Sequence, residues 1–483
     1  MVKHDDTHNK RRCCKKRCKT SKTKKSELSH KVNLPTTPIL PLPLAIKKNS
    51  DIYTEQYNNG LKMIYCNNLN SNITSVVFYV KVGSINEPEG LYGYSHFLEH
   101  ITFKGTRNYE NEIEVIQEMD NIGAHFNATT TMEYTSFEFK CNSDNLDKLL
   151  LVFNDIILHA ILDENESNKE KTVVIDEINM YKDNMSRICI ERLNKIMYKG
   201  TSYQRTVGSE PKYIEKFDHE KGKRYYNKYY NPGNIVISIC SSFSFDEIKS
   251  KLASIDLTHG NSNTYTEDGN TEYKITDSNV RKWEFISKDG SQITLGIAFK
   301  ICDKHSKDRH ALFVLSVILG GNMTSILVKK LRVDNGISYN IDVGVDFYNP
   351  FGGFYICTQI TPDKFTQGLS LIIENLNSIK SGSITEDNLI SAKKYIEGTL
   401  SLSQENTLKI AEQNGYDMLF NIHPISIQDT YSTYYENISL SDINSVINKY
   451  FSVDNLHTCY AGNNIENNHK LIREIRIIEG RFK

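Results

Sequence analysis

Along the chain the spacing of apolar and polar positions changes period in a fixed order. Residues 56–65 and 74–82 read as strands, and a loop with Gly83, Pro88 and Gly90 leads into a helix opening near Tyr94 or Ser95. A second helix fits residues 110–122, and alternation over 125–141 predicts paired strands. Helical spacing returns over 144–159 and again from 164 through 181. Asn231, Pro232 and Gly233 punctuate a helix-to-strand turn before an apolar strand at 235–240.

This order recurs. FEFKCNSDNLDKLLLVFNDIIL in the first half and FYICTQITPDKFTQGLSLIIENLNSI in the second each run from a strand through a polar turn into a helix. A helix with a polar start follows both, ENESNKEKTVVIDEINMY and TEDNLISAKKYIEGTLSL. YYNKYYNPGNIVISIC and INKYFSVDNLHTCYAG then close each half. The expected fold class is α+β, with two homologous domains, each a largely antiparallel sheet with helices on one face. The expected organisation is a basic disordered arm at 1–33, a proline linker at 34–50, a first domain at 51–262, a linker at 263–280 and a second domain at 281–483.

Composition narrows the classes. With 483 residues, 39% hydrophobic and 24% charged, the chain is long enough for two cores and is neither low-complexity nor collagen-like. No apolar run of spanning length is expected, and Pro35, Pro38, Pro41 and Pro43 break the apolar stretch before residue 47. The net charge of −1 conceals an asymmetry: residues 1–33 carry twelve Lys/Arg against three Asp/Glu, +9, leaving 46 against 56, −10, elsewhere. Such an arm suits a solvated segment, or contact with nucleic acid or an anionic surface. As a mitochondrial import signal it has the position but not the composition, since Asp5, Asp6 and Glu27 intrude. The compartment stays open between an intracellular site, a mitochondrial-type organelle and a virion. No apolar signal core opens the chain and the body cysteines are scattered singly, so they are expected as buried free thiols. Cys13, Cys14 and Cys18 lack the paired spacing of a structural zinc site.

The chemistry centres on His96-Phe97-Leu98-Glu99-His100. Side chains four apart share a helical face, so both imidazoles can address one ion, and two neutral imidazoles suit zinc. The same five residues also suit a His pair packed beside a Glu in a partly buried helix. Glu170 and Glu177, seven apart, share a face with apolar Val174, where a carboxylate is costly unless paired or ligating. Glu177 is the expected third ligand, and Glu170 is either its alternative or the partner that orients a histidine.

On these residues the chain resembles the inverted-motif zinc metallopeptidases of the pitrilysin type, nearest the mitochondrial processing peptidase beta subunit and its bacterial relatives. GYSHFLEHITFKGT at 93–106 is similar to the family's zinc motif, and GAHFNATTTMEYT to its sheet-edge segment. The interval from His100 to Glu177 matches that to the family's third ligand, and LGGNMTSILVKKLRVDNGISYN is similar to a second-half segment. The resemblance implies two related domains enclosing a clam-like chamber, one Zn2+ per chain held by His96, His100 and Glu177, and Glu99 as general base. It also implies Asn127, Ala128 and Glu133 as substrate-binding residues, Tyr339 in oxyanion stabilisation and Arg332 in positioning. Asn322, Ile326 and Asn335 depart from the family pattern; the second half has only RHALF around His310, and Gly398 falls opposite Glu177.

The implied function is a zinc endopeptidase cleaving unfolded peptides, with basic ones favoured by the acidic body. The alternative is a catalytically inactive structural or peptide-binding subunit of the same fold. A third reading makes the basic arm primary, as a nucleic-acid binder. A second chain of the same fold, identical or not, is the expected partner; the peptides cut are not legible.

Overall fold

The structure, a computed structural model, describes residues 52–258 and 282–483. The arm, the proline linker and the interdomain linker expected at 1–33, 34–50 and 263–280 lie outside those residues, as do Cys13, Cys14 and Cys18.

In the first half the strands are β1 (Ile52–Gln56), β2 (Lys62–Asn67), β3 (Ile73–Val80), β4 (His125–Thr130), β5 (Thr135–Asn142) and β6 (Ile235–Ser241). The second half contributes β7 (Trp283–Ser287), β8 (Ile293–Ile301), β9 (Ile341–Phe347), β10 (Gly352–Ile360) and β11 (Leu456–Gly462). The first sheet is ordered β1-β2-β6-β3-β5-β4 and the second β7-β11-β8-β10-β9. Without β1, the two orders are the same. Pairing is antiparallel except for β2 with β6 and β7 with β11, which are parallel and equivalent in the two halves. The α+β repeat read from the sequence is therefore a repeat of topology.

The strand expected over 56–65 is a hairpin instead. Asn59 Oδ1 accepts from Leu61 N at 3.2 Å while its amide donates to Leu257 O at 2.9 Å, which fixes the turn between β1 and β2.

One face of the first sheet is covered by its own helices: Phe78, Phe137 and Phe139 meet Phe153 of the Leu146–Leu158 helix in a core closed to solvent. The other face receives a helix from the opposite half, Thr407–Leu419, which crosses β2, β3 and β6. The exchange is reciprocal, since the first-half helix Met185–Met197 lies on β8, β10 and β11. Close approach is paired too. A Cβ on Gly296 of β8 would stand 2.8 Å from Leu193 Cδ1, and one on Gly415 would stand 2.5 Å from the Tyr79 ring. Tyr355 Oη donates to Asn194 Oδ1 at 2.7 Å, and Tyr79 Oη to Glu412 O at 2.8 Å. Each fully buried side chain at these seams, Leu193 among them, contributes about 1.5–3 kcal/mol to docking.

One expectation needs correction. Within the helical segment Asp308–Val333 an 18-residue stretch has a mean hydropathy of 2.0, apolar enough to cross a membrane by length and composition. That stretch is 72% buried inside the protein and is interrupted where Asn322 turns extended, so it reads as a core element. The seven described cysteines are free, with Cys66 and Cys302 half-buried and the others buried.

Candidate metal centre

The helix Tyr94–Ile101 begins at a left-handed Gly93 (φ +88°), where a Cβ would also press to 2.8 Å from Ile214 Cδ1. Its first turn is held by Glu87, whose carboxylate accepts from Gly93 N at 2.8 Å and Ser95 N at 2.9 Å. Burial, opposed by these bonds, pushes Glu87 up to about 7. Phe97, Leu98 and Ile101 face the core. His96 and His100 then stand one turn apart, ring centres 4.9 Å from each other and ring planes 80° apart.

The helix Glu164–Lys182 is started by Asp163, whose side chain accepts from Asn165 N and Glu166 N. It turns Glu170, Val174 and Glu177 toward the first helix. Glu177 Oε2 lies 3.1 Å from His100 Nε2 and 3.7 Å from His96 Nε2. One donor atom from each of the three residues falls within 4.8 Å of the others. Tetrahedral zinc with bonds of about 2.0–2.2 Å separates its ligands by roughly 3.3 Å, so two imidazoles and a carboxylate at these spacings fit that ion.

The two acidic residues take different positions beside His100. Glu170 meets the other ring nitrogen, with Oε1 2.9 Å from His100 Nδ1 and Oε2 2.8 Å from Lys104 Nζ. A proton on Nδ1 directed at Glu170 leaves Nε2 as a lone-pair donor. Burial works against a charged His100, but Glu170 and Glu177 overcome it and raise its pKa to about 9. Burial likewise opposes ionised Glu177, yet His100 and His96 hold it well below the usual carboxylate range.

Glu99 is buried beside the centre, and Thr130 Oγ1 donates to its Oε2 at 2.5 Å. Thr130 ends β4, an edge strand paired on one side to β5, with Asn127 and Ala128 in its middle. Glu133, expected as a substrate-binding residue, is buried, and its carboxylate accepts from Tyr203 Oη (2.8 Å), Lys304 Nζ (2.6 Å) and Asn349 N (2.8 Å). It bridges the halves. In the second half the Arg332 guanidinium stacks 4.2 Å from the centre of the Tyr339 ring, which is 78% exposed.

The second-half counterpart of the metal helix, Asp308–Ser316, keeps His310, stacked at 4.4 Å on Tyr434 in surroundings that drive its pKa far down by burial. Two supporting residues escaped sequence reasoning. Tyr181 sits four after Glu177, a spacing that could have exposed it; nothing local marked Glu87.

Residues 62–210 match the family described as Insulinase (Peptidase family M16), and residues 216–396 match the Peptidase M16 inactive domain. The chain belongs to the M16 peptidase family. A relative from Bacillus subtilis, "Uncharacterized zinc protease YmxG", is 29% identical over 367 residues, which is 75% of this chain and 86% of the relative. The "Probable mitochondrial-processing peptidase subunit beta" of Arabidopsis thaliana is 23% identical over 404 residues, covering 81% of this chain and 75% of that one. Two solved structures share the fold. A protease from Helicobacter pylori has a TM-score of 0.75 at 22% identity, covering 84% of this chain and 98% of that chain. The periplasmic protease PqqL of Escherichia coli has a TM-score of 0.74 at 14% identity, covering 91% of this chain but 50% of that chain.

Proposed function

We propose that this M16 chain is a zinc-dependent endopeptidase that cuts extended, unfolded and preferentially basic peptides by attack of water, with one zinc held by His96, His100 and Glu177. The observation that carries the reading is the convergence of those three donor atoms with Glu170 fixed behind His100. Zinc in such a site supplies Lewis acidity toward the scissile carbonyl and makes water acidic enough to attack near neutral pH.

The chain's own groups do the rest. Glu99, one residue before a ligand and aligned by the Thr130 hydroxyl, takes the proton of the attacking water and returns it to the leaving amine. The open side of β4 at Asn127 and Ala128 receives the peptide as an added strand, which selects extended chains. Tyr339 stabilises the developing oxyanion and Arg332, stacked on its ring, positions it. A second chain of the same fold as the opposite wall belongs to this reading. It is supported by PqqL, half of whose chain this one covers.

The test is mass-spectrometric cleavage of mixed unstructured basic and acidic peptides by the protein and by Glu99→Gln, with zinc measured on both. Cleavage lost in the variant while zinc stays near one per chain supports the reading. Zinc bound with no peptide cut, alone or with a partner chain, replaces it with the inactive peptide-binding subunit.

A further inference from the structure

The Glu177 carboxylate is gripped on the side away from the histidines. Tyr181, one turn later in the same helix, donates its hydroxyl to Glu177 Oε1 at 2.6 Å, so Oε2 is the oxygen that faces His96 and His100. The Arg187 guanidinium carbon lies 3.5 Å from the centre of the Tyr181 ring. Arg187 is itself fixed twice: Nε donates to Glu191 Oε1 at 2.9 Å, and its backbone N donates to Asn184 Oδ1 at 3.0 Å. A cation over a phenol ring strengthens both the stack and the hydroxyl as a donor, because the ring's electron density is drawn toward the cation.

Arg187 belongs to the exchanged helix Met185–Met197. That helix is seated on the second sheet by buried Cys189 and Leu193, and Gln359 of β10 donates to Ser186 Oγ at 3.2 Å, one residue before Arg187. Contacts therefore run without a gap from the second sheet through Arg187 and Tyr181 to Glu177. Glu170 and Lys104 brace the histidine side of the centre within the first half. The Glu177 side is braced from across the seam.

We propose that Tyr181 and Arg187 are positioning residues that hold Glu177 as a one-oxygen metal ligand and make retention of the metal depend on how the Met185–Met197 helix sits on the second sheet. This rests on the reading of His96, His100 and Glu177 as zinc ligands. Its consequence is that a displacement of the second sheet, such as docking of a peptide against that half, alters the grip on the metal without touching a ligand.

The experiment uses full-length Tyr181→Phe, Arg187→Met, Leu193→Ala and Arg187→Met/Leu193→Ala, with melting and circular dichroism as checks of folding. Zinc affinity is read by competition with a chromogenic chelator, and coordination by the visible bands of the cobalt-substituted protein. Tyr181→Phe is expected to weaken zinc binding about 10- to 100-fold and to shift the cobalt bands, with Arg187→Met smaller and in the same direction. Leu193→Ala is expected to weaken zinc binding in the parent and to add nothing once Arg187 is Met. Gly296→Ala, whose new methyl would meet Leu193, replaces it if Leu193→Ala does not fold. Unchanged affinity and spectrum in folded Tyr181→Phe would overturn the proposal, and so would an undiminished Leu193→Ala effect in the Arg187→Met background. If parent and His96→Ala instead hold zinc equally poorly, the ligand assignment itself falls, a result separable from the first two.

Discussion

Glu133, in the turn joining β4 to β5, and Lys304, just beyond β8, form a buried ion pair of 2.6 Å that joins the two halves of the chain. Lys304 is fully enclosed, with Nζ also 3.1 Å from the centre of the Phe420 ring. Burial outweighs the attraction of Glu133 and brings the lysine down to about 8. A pair so enclosed adds little over an apolar replacement of similar volume, but breaking it strands a charge. Lys304→Met is therefore expected to destabilise by about 3 kcal/mol, the low end of the range for a broken buried pair, because Tyr203 and Asn349 still donate to Glu133. Lys304→Met/Glu133→Gln should recover most of the loss. Urea midpoints check both, and an unaltered midpoint in Lys304→Met would refute the strut.

Glu170 Oε1 lies 2.9 Å from His100 Nδ1, and on the proposed reading it acts through that contact rather than as a ligand. Glu170→Gln keeps the shape but removes the charge that favours the Nδ1 proton, and should weaken zinc about tenfold or more while leaving one zinc per chain at saturation. Chelator competition reads the first and metal content at excess zinc the second. Stoichiometry falling below one would mean that Glu170 is a ligand.

Much of this was legible because the signals were local. Two histidines and a glutamate within five residues, and a carboxylate pair seven apart on the next acidic helix, fix faces by helical geometry alone, and the strand-turn-helix repeat is a matter of period. The misread features depend on contacts between distant segments. The apolar stripe of Met185–Met197 reads the same whichever sheet it covers, so the exchange of helices between halves left no mark in the pattern. Glu133 stands in one motif with Asn127 and Ala128, while the lysine that pairs with it lies at position 304. The turn through Asn59 interrupted an apolar alternation that otherwise continues from β1 to β2.

Zinc uptake should release protons. In the metal-free protein His100 is held at about 9 by Glu170 and Glu177 in spite of burial, so at pH 7.5, as at any pH below about 9, the metal must displace its proton. Apparent zinc affinity should rise about tenfold per pH unit up to pH near 9 on this account, with about one proton released per zinc. The sign for stability is the opposite. A histidine raised above its unfolded value of 6.5 stabilises the metal-free fold fully below that value, and the contribution is lost as pH rises through 9. Glu177, depressed from 4.5, contributes above that value and is lost as pH falls through its folded pKa. Calorimetric titration of zinc in buffers of different ionisation enthalpy counts the protons, and a count of zero at pH 7.5 contradicts a protonated His100.

The open edge of β4 makes a prediction about substrates. A peptide paired to that edge as a strand offers its backbone N–H groups alternately toward β4 and away from it. Methylating one backbone nitrogen at a time along a cleaved peptide should therefore raise KM with a period of two residues. The affected positions each lose a hydrogen bond of about 0.5–1.5 kcal/mol, equivalent to roughly 2- to 13-fold in KM when KM follows binding. The intervening positions should stay near the parent value, because their N–H groups face away from the edge. Ala128, buried in the middle of β4, lies too deep for its methyl to supply such a pattern through side-chain contact alone. A response that is flat along the peptide, or that follows side-chain identity with no alternation, would rule out strand addition at β4.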